Sequence, residues 1–241
     1  MIGTILNVAG ILIGGAVGLI RRRPLSAATE SYFKVTLAAI TVFYGLRLTW
    51  VGLSGSFLQM LKQLLILILA LMLGKLTGQL LRLQTMSNRL GQFARERING
   101  AQPAEPRSPD EGFKVCAALF CAAPLGILGA IQDGLSFSAN FYPLGVKACI
   151  DGLATMSLVS LFGWGATMAA LPVLAVQGTI TLAARLLEPF LAAHGLINSV
   201  DGVGGLLVFS VALVMLGLKR IALTDYLPSL LFAPLMTWFA S

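Results

Sequence analysis

The sequence predicts an all-α fold, a polytopic transmembrane helix bundle of about eight spans, on three observations. Of the 241 residues, 57% are apolar and only 11% are charged, against roughly a quarter charged in an ordinary soluble domain. The apolar residues gather in runs close to the roughly 20 residues that cross a hydrocarbon core of about 30 Å. The Lys and Arg residues behind the net charge of +7 sit beside those runs and are not interleaved with exposed aromatics, so they read as topology control and no nucleic-acid partner is expected.

Residues 2–20 form the first predicted span. They are apolar from the start, lack a basic leading region and are followed by Arg21, Arg22 and Arg23, which marks a transmembrane helix and not a cleaved signal peptide. Spans over 32–52 and 58–81 follow. The segment 82–112 is the one cytoplasmic excursion of a single membrane domain, 1–241. Within it Met86, Leu90 and Phe93 recur at helical spacing opposite Arg89, Arg95 and Arg97. That predicts a short amphipathic helix, 86–98, either lying on the cytoplasmic leaflet or packed on protein as a helical extension. Residues 99–111, rich in Pro, Ala, Glu, Ser and Asp, predict a flexible linker.

Spans over 113–132, 143–162, 165–187, 203–218 and 223–240 complete the set. Only Phe162-Gly163-Trp164-Gly165 divides the fifth from the sixth. Strands are not expected, since the runs lack the alternation of an outer-membrane barrel.

Arg21, Arg22, Arg23 and Lys34 flank the first turn, the excursion carries Arg82 to Lys114 with Arg107, and Lys219 and Arg220 flank the last turn. If these regions are cytoplasmic, eight spans place both termini outside. Arg47, Lys62, Lys147 and Arg185 are the few charges left for the outer face. Gly3-Thr4-Ile5 in the first span recurs as Gly178-Thr179-Ile180 in the sixth, and Gly45-Leu46-Arg47 as Gly217-Leu218-Lys219. Three-helix units starting at spans one and six would be inverted repeats of the kind transporters use; chance matching in a Gly-rich apolar chain is the rival reading.

Gly10, Gly14 and Gly18 form a flat helical face for close packing, as do Gly74 and Gly78, and such faces also allow a homo-oligomer. Polar groups inside hydrocarbon are costly, which singles out Asn7, Gln132, Asp133, Lys147, Asp151, Gln177, Thr179 and Thr181. Lys147 and Asp151, four apart, share a helix face and can pair, as a structural lock or as part of an ion path. Asp133-Gly134, Asp151-Gly152 and Asp201-Gly202 suggest helix ends or breaks where a carboxylate and freed backbone groups meet a polar solute; for each the bland alternative is end-capping, favoured for Asp201. Pro172, five residues before Gln177-Gly178, predicts a kink there.

Cys116, Cys121 and Cys149 are an odd number without metal spacing, and are expected to be packed and reduced, so neither disulfide, metal nor cofactor is expected. His194 stands near the outer interface without a triad partner, and no catalytic residues are indicated.

Ile2-Gly3-Thr4 with Asn7, Leu119-Phe120-Cys121 running on to Gln132-Asp133-Gly134-Leu135, Lys147 through Asp151-Gly152, and Pro172 to Thr181 are followed by Gly204-Gly205-Leu206-Leu207, Lys219-Arg220-Ile221, Leu227-Pro228 and Ala233-Pro234-Leu235. In that order the chain resembles the YdfK and YqgA family of bacterial inner-membrane proteins, departing from it at Ala122-Ala123-Pro124 and at Val214. The resemblance implies a multi-pass protein of the bacterial inner membrane and carries no activity with it. The residues themselves suggest a transporter or channel for an ion or small polar solute, not an enzyme, with Asp133, Lys147, Asp151, Gln177, Thr179, Asn7 and Gln132 along the pathway. Gly134, Gly152 and Gly178 would expose backbone. The alternative is a scaffold or lipid-interacting protein whose segment 82–112 recruits partners.

Overall fold

A computed structural model describes residues 1–21, 26–100, 108–135 and 141–240. Arg22, Arg23, Arg107, Ser241 and most of the predicted linker lie outside the described residues. The regular elements among the described residues are all helical: α1 Ile2–Arg21, α2 Ala27–Gly52, α3 Phe57–Leu80, α4 Leu83–Asn99, α5 Pro109–Cys121, α6 Pro124–Leu135, α7 Tyr142–Phe162, α8 Ala170–Ala193, α9 Ile197–Met215 and α10 Ser229–Ala240. Two 3₁₀ turns, Gly163–Ala169 and Leu223–Tyr226, precede α8 and α10. The outer surface carries large apolar side chains such as Ile13, Leu58, Leu76, Leu186 and Phe239, far more than a water-facing surface tolerates. The chain is a membrane protein built as an all-α bundle.

Small residues set the helix directions. A Cβ added to Gly10, Gly14 or Gly18 would stand 2.5, 2.0 or 2.6 Å from the carbonyl oxygens of Ala148, Gly152 and Met156. Both series rise together, so α1 and α7 run parallel at backbone contact. Along α8 the order reverses: Thr4 meets Thr181 and Asn7 meets Gln177, while Gly15 faces Thr167 of the first 3₁₀ turn. The unbroken helical stretch Tyr142–Ala193 is therefore two opposite crossings folded back at Gly163–Ala169, and both lean on α1.

The predicted fourth span, 113–132, is corrected. It is two helices, α5 and α6, bent by 63° at Ala122-Ala123. Pro124 has no N–H to give and disfavours helical geometry at the residue before it, which ends α5 there. Gly112 lies against Phe162 at the end of α7, whereas Gly129 lies against Leu144 near its start, so the pair traverses the bundle as one broken span and does not turn back.

The remaining pairs are antiparallel. Gly45 approaches Phe209 and Gly52 approaches Gly202, joining α2 to α9; Gly74 approaches Ser229 and Gly78 approaches Asp225, joining α3 to α10 and its leading turn. Among the described residues the helices alternate in direction as eight passes through the bundle: α1, α2, α3, α5 with α6, α7, α8, α9, and the second turn with α10. Arg21, Arg82, Lys219 and Arg220 all fall at one end of the bundle. The pairs α1/α8, α2/α9 and α3/α10 each pack antiparallel, the arrangement that the expected inverted repeat requires.

Two large apolar cores result, beside a small cluster of Tyr44, Leu48 and Val208. Ile11, Val115, Phe120, Leu158 and Val173 tie α1, α5, α7 and α8 together, and Leu67, Leu128, Val203, Leu207 and Leu230 tie α3, α6, α9 and α10.

Several expectations change here. Pro172 is the third residue of α8, in a first turn that needs no N–H from it, so it starts the helix and does not kink it before Gln177. Gly152 and Gly178 lie inside unbroken helices, and Gly152 packs on the Gly10 carbonyl with no backbone freed. Gly134 sits in the last turn of α6 against the Thr181 carbonyl. Asp201 is the fifth residue of α9 and caps nothing. Because Gly10, Gly14, Gly18, Gly74 and Gly78 all pack within the chain, these faces are not left open for a second copy. Cys116 is buried, but Cys149 is exposed on the outer surface.

The segment 86–98 lies within α4, Leu83–Asn99. α4 packs on α5 through Ala94, its one buried residue, with Ser87 donating to the Ala122 carbonyl. Met86, Leu90 and Phe93 remain exposed on its outer face. α4 is thus packed on protein along one side and offers an apolar stripe on another.

Candidate functional site

The site grows from where α1, α6, α7 and α8 converge. Helical spacing places Lys147 and Asp151 one turn apart on the inner face of α7, 2.5 Å apart and almost wholly buried. Two isolated charges there would each cost several kcal/mol, and pairing offsets only part of that cost. Phe120 of α5 adds its ring face 5.8 Å from the Lys147 ammonium, a cation–π contact that is strongest where water is excluded.

On α1, the Asn7 amide donates to Gln177 Oε1 of α8 at 3.1 Å and stands beside Asp151. Its own Oδ1 is buried without a partner. Lys147 and Gln177 meet over Gly126: a Cβ there would lie 2.8 Å from Lys147 Cε and 3.0 Å from Gln177 Nε2. Gly126 is two residues past Pro124, so the broken span brings bare backbone against both polar heads. On the basic side of the same break a cavity of about 630 Å³ is lined by Gln84, Asn88, Arg95, Pro124 and Arg220, among others.

Asp133 does different work from the one expected of it. Its carboxylate accepts hydrogen bonds from the backbone of Gly3 and Thr4, both at 3.1 Å, and its Oδ2 lies 3.3 Å from the Met1 amino group. It satisfies the orphan amides at the start of α1 from another helix, a cap reaching across the bundle. Thr4 joins this network to Thr181, hydroxyl to hydroxyl at 3.0 Å.

Of the predicted pathway residues, Asn7, Lys147, Asp151 and Gln177 come together, with Asp133 one layer away at the α1 start. Thr179 does not join them: it is exposed and its hydroxyl donates to the Ala175 carbonyl. Thr181 takes the inward place instead. Gln132 is 2% exposed, but its amide faces Gly204 of α9, away from the ion pair. Tyr44, which sequence reasoning did not single out, is buried with its hydroxyl unpartnered; an aromatic in an apolar run gives no signal of that. His194, Phe190 and Trp238 form a three-ring cluster with centroids 4.5 to 5.2 Å apart, typical of a helix end at the membrane–water boundary.

A family model described as "Protein of unknown function (DUF554)" matches residues 2–238. The chain is similar to "Uncharacterized membrane protein YdfK" of Bacillus subtilis, 29% identical over 98% of this chain and 95% of that protein. It is similar as well to "Uncharacterized protein YqgA" of Escherichia coli, 28% identical over the whole of both. No solved structure matches the chain.

Proposed function

The chain belongs to the DUF554 family, and from its buried polar centre we propose that this membrane protein passes an ion or a small polar solute across the bilayer. One observation carries the reading: Lys147, Asp151, Asn7 and Gln177 meet inside the bundle beside a broken span, and Asn7 keeps an unused acceptor. Polar groups at membrane depth are expensive to keep and mark ion or solute paths in transporters. Broken helices supply the backbone that such sites use. We place the protein in a bacterial inner membrane, with the Arg- and Lys-rich end in the cytoplasm and both termini outside. We assign it no catalytic role.

Purified protein in liposomes, screened for flux of inorganic ions and small polar metabolites, tests the reading. Transport that is lost in Asp151→Asn and Gln177→Ala variants of unchanged fold supports it. Flux that persists unaltered in both rejects it.

A scaffold or lipid-contacting role has an observation of its own, the exposed stripe Met86, Leu90 and Phe93 on α4. Serine at all three positions would abolish a scaffold phenotype and leave flux intact, which separates the two readings.

A further inference from the structure

The cavity on the basic side of the Pro124 break brings two arginines to one concave surface. Arg95 of α4 and Arg220, which follows α9, line it together with Gln84, Asn88, Gln92 and Leu119. Neither arginine has an ion pair or a hydrogen bond among the described residues. The amides beside them are set to donate. Gln84 Oε1 accepts from the Thr224 N–H at 3.1 Å, and Gln84 Nε2 donates to Asn88 Oδ1 at 2.8 Å, so Asn88 has its NH2 group left for the cavity. Among the described residues no carboxylate lines the space. Asp225, which meets α4 at Gln84, is buried and accepts from the Gln84 backbone amide at 2.8 Å. Two guanidinium forks with amide donors and no acid suit a phosphate group. Arg89 and Lys219 belong to the same basic end and do not line the cavity, so the concavity is more than the usual basic flank of a membrane bundle.

An apolar groove adjoins it. Leu119 of α5 lines both the cavity and a groove of about 380 Å³, while successive residues of α9 divide between them, Val214 to the cavity and Met215 to the groove. Lys34 stands at the mouth of this groove beside Glu30, whose carboxylate accepts from Ser157 at 3.1 Å. Through Leu37 and Leu153 the groove continues into another of about 530 Å³ between α1, α2 and α7. Apart from Glu30, Lys34 and Ser157, only Thr36 and Cys149 interrupt the apolar lining. From Leu158 to Ala148 the grooves follow α7 for about 15 Å at the helical rise. That is half of a hydrocarbon core of about 30 Å, the depth of one leaflet.

We propose that cavity and groove together hold one anionic phospholipid, with its phosphodiester between Arg95 and Arg220 and an acyl chain passing Leu119 into the groove. A free phosphate would use the arginines and leave the groove unfilled. A zwitterionic headgroup would bring an ammonium beside two arginines with no carboxylate to receive it. The inference stands apart from the proposed pathway, because it concerns a lipid held in place and not flux.

Unfolding midpoints of the full chain in detergent, titrated with phosphatidylglycerol, phosphatidylcholine or inorganic phosphate, test it alongside native mass spectrometry of bound lipid. The expected result is a saturable rise in midpoint and one lipid per chain with phosphatidylglycerol, and neither with the other two. Arg95→Gln combined with Arg220→Gln should weaken binding about tenfold or more. Arg89→Gln combined with Lys219→Gln removes the same charge outside the cavity and should weaken it no more than about twofold. All four side chains are exposed, so these variants keep the fold. Ala154→Phe, which fills the groove, should weaken binding as well. Equal stabilisation by phosphatidylcholine overturns the site, and so do equal losses in the two paired variants. Inorganic phosphate as effective as phosphatidylglycerol, or full affinity in a folded Ala154→Phe, overturns the lipid as occupant.

Discussion

Gly14 and Gly152 touch backbone to backbone: a Cβ on Gly14 would lie 2.0 Å from the Gly152 carbonyl oxygen. No side-chain rotation relieves that contact, so α1 and α7 would have to separate. Gly14→Val should cost about 2–3 kcal/mol by overpacking. Gly91, helical and with nothing within 4 Å of an added Cβ, should gain about 0.5–1 kcal/mol as Gly91→Ala. Unfolding midpoints of the two variants in one detergent give the comparison; equal effects would show that the α1/α7 contact is not made.

Lys147 and Asp151 share one buried salt bridge, so removing either leaves the other charged and alone. Lys147→Met and Asp151→Leu should each cost about 3–5 kcal/mol, while the double variant should return to near wild-type stability, since an apolar pair of similar volume is often neutral. A double-mutant cycle on thermal stability reads the coupling, and strictly additive losses would show that the two do not interact. Flux in the same double variant then separates a structural lock from a pathway: folded and inactive is the outcome that the transport proposal requires.

Asp133 holds Gly3 and Thr4 amides at 3.1 Å. Asp133→Leu keeps the volume and strips both bonds, leaving buried amides unpaired, and should cost about 2–5 kcal/mol for two charge-assisted bonds. Asp133→Asn, which can still accept one of them, should lie between. Hydrogen exchange at the start of α1 should rise in the same order; an exchange pattern unchanged in Asp133→Leu rules out the cap.

The eight traverses place Arg21, Ser108 and Lys219 at one end of the bundle, and Gly55 and Ala240 at the other. Reporter fusions at these positions should read cytoplasmic at the first three and external at the last two. A cytoplasmic signal at Ala240 would require one traverse fewer, and the 3₁₀ turn between α7 and α8 is where that traverse would be lost.

The membrane bundle and its boundaries were legible because runs of about 20 apolar residues and their basic flanks are local patterns. The Lys147–Asp151 pair was legible for the same reason, being four residues apart on one helix. What joins residues distant in sequence was hidden. Asn7 and Gln177 are 170 positions apart, and each could be flagged by cost but not matched to the other. Asp133 was flagged, yet its partners are backbone amides, which leave no mark in a side-chain pattern. Thr179 was preferred to Thr181 as a pathway residue because two positions on a helix differ by about 200° of rotation, and nothing local said which faced inward. The break at Ala122-Ala123 was masked by apolar sequence on both sides, and Pro172 was read as a kink because the start of α8 had been placed too early.

The contact between Gly3 and Asp133 spans 130 residues, and α7 emerges later still. At about 5–20 residues per second of synthesis, α1 waits in the membrane on the order of ten seconds before its cap and its parallel neighbour exist. Throughout that interval its glycine groove and its first amides face lipid or whatever escort the insertion machinery provides. Nascent chains halted before Tyr142 would carry an orphaned first helix, with its cap unmade and its parallel neighbour not yet synthesised.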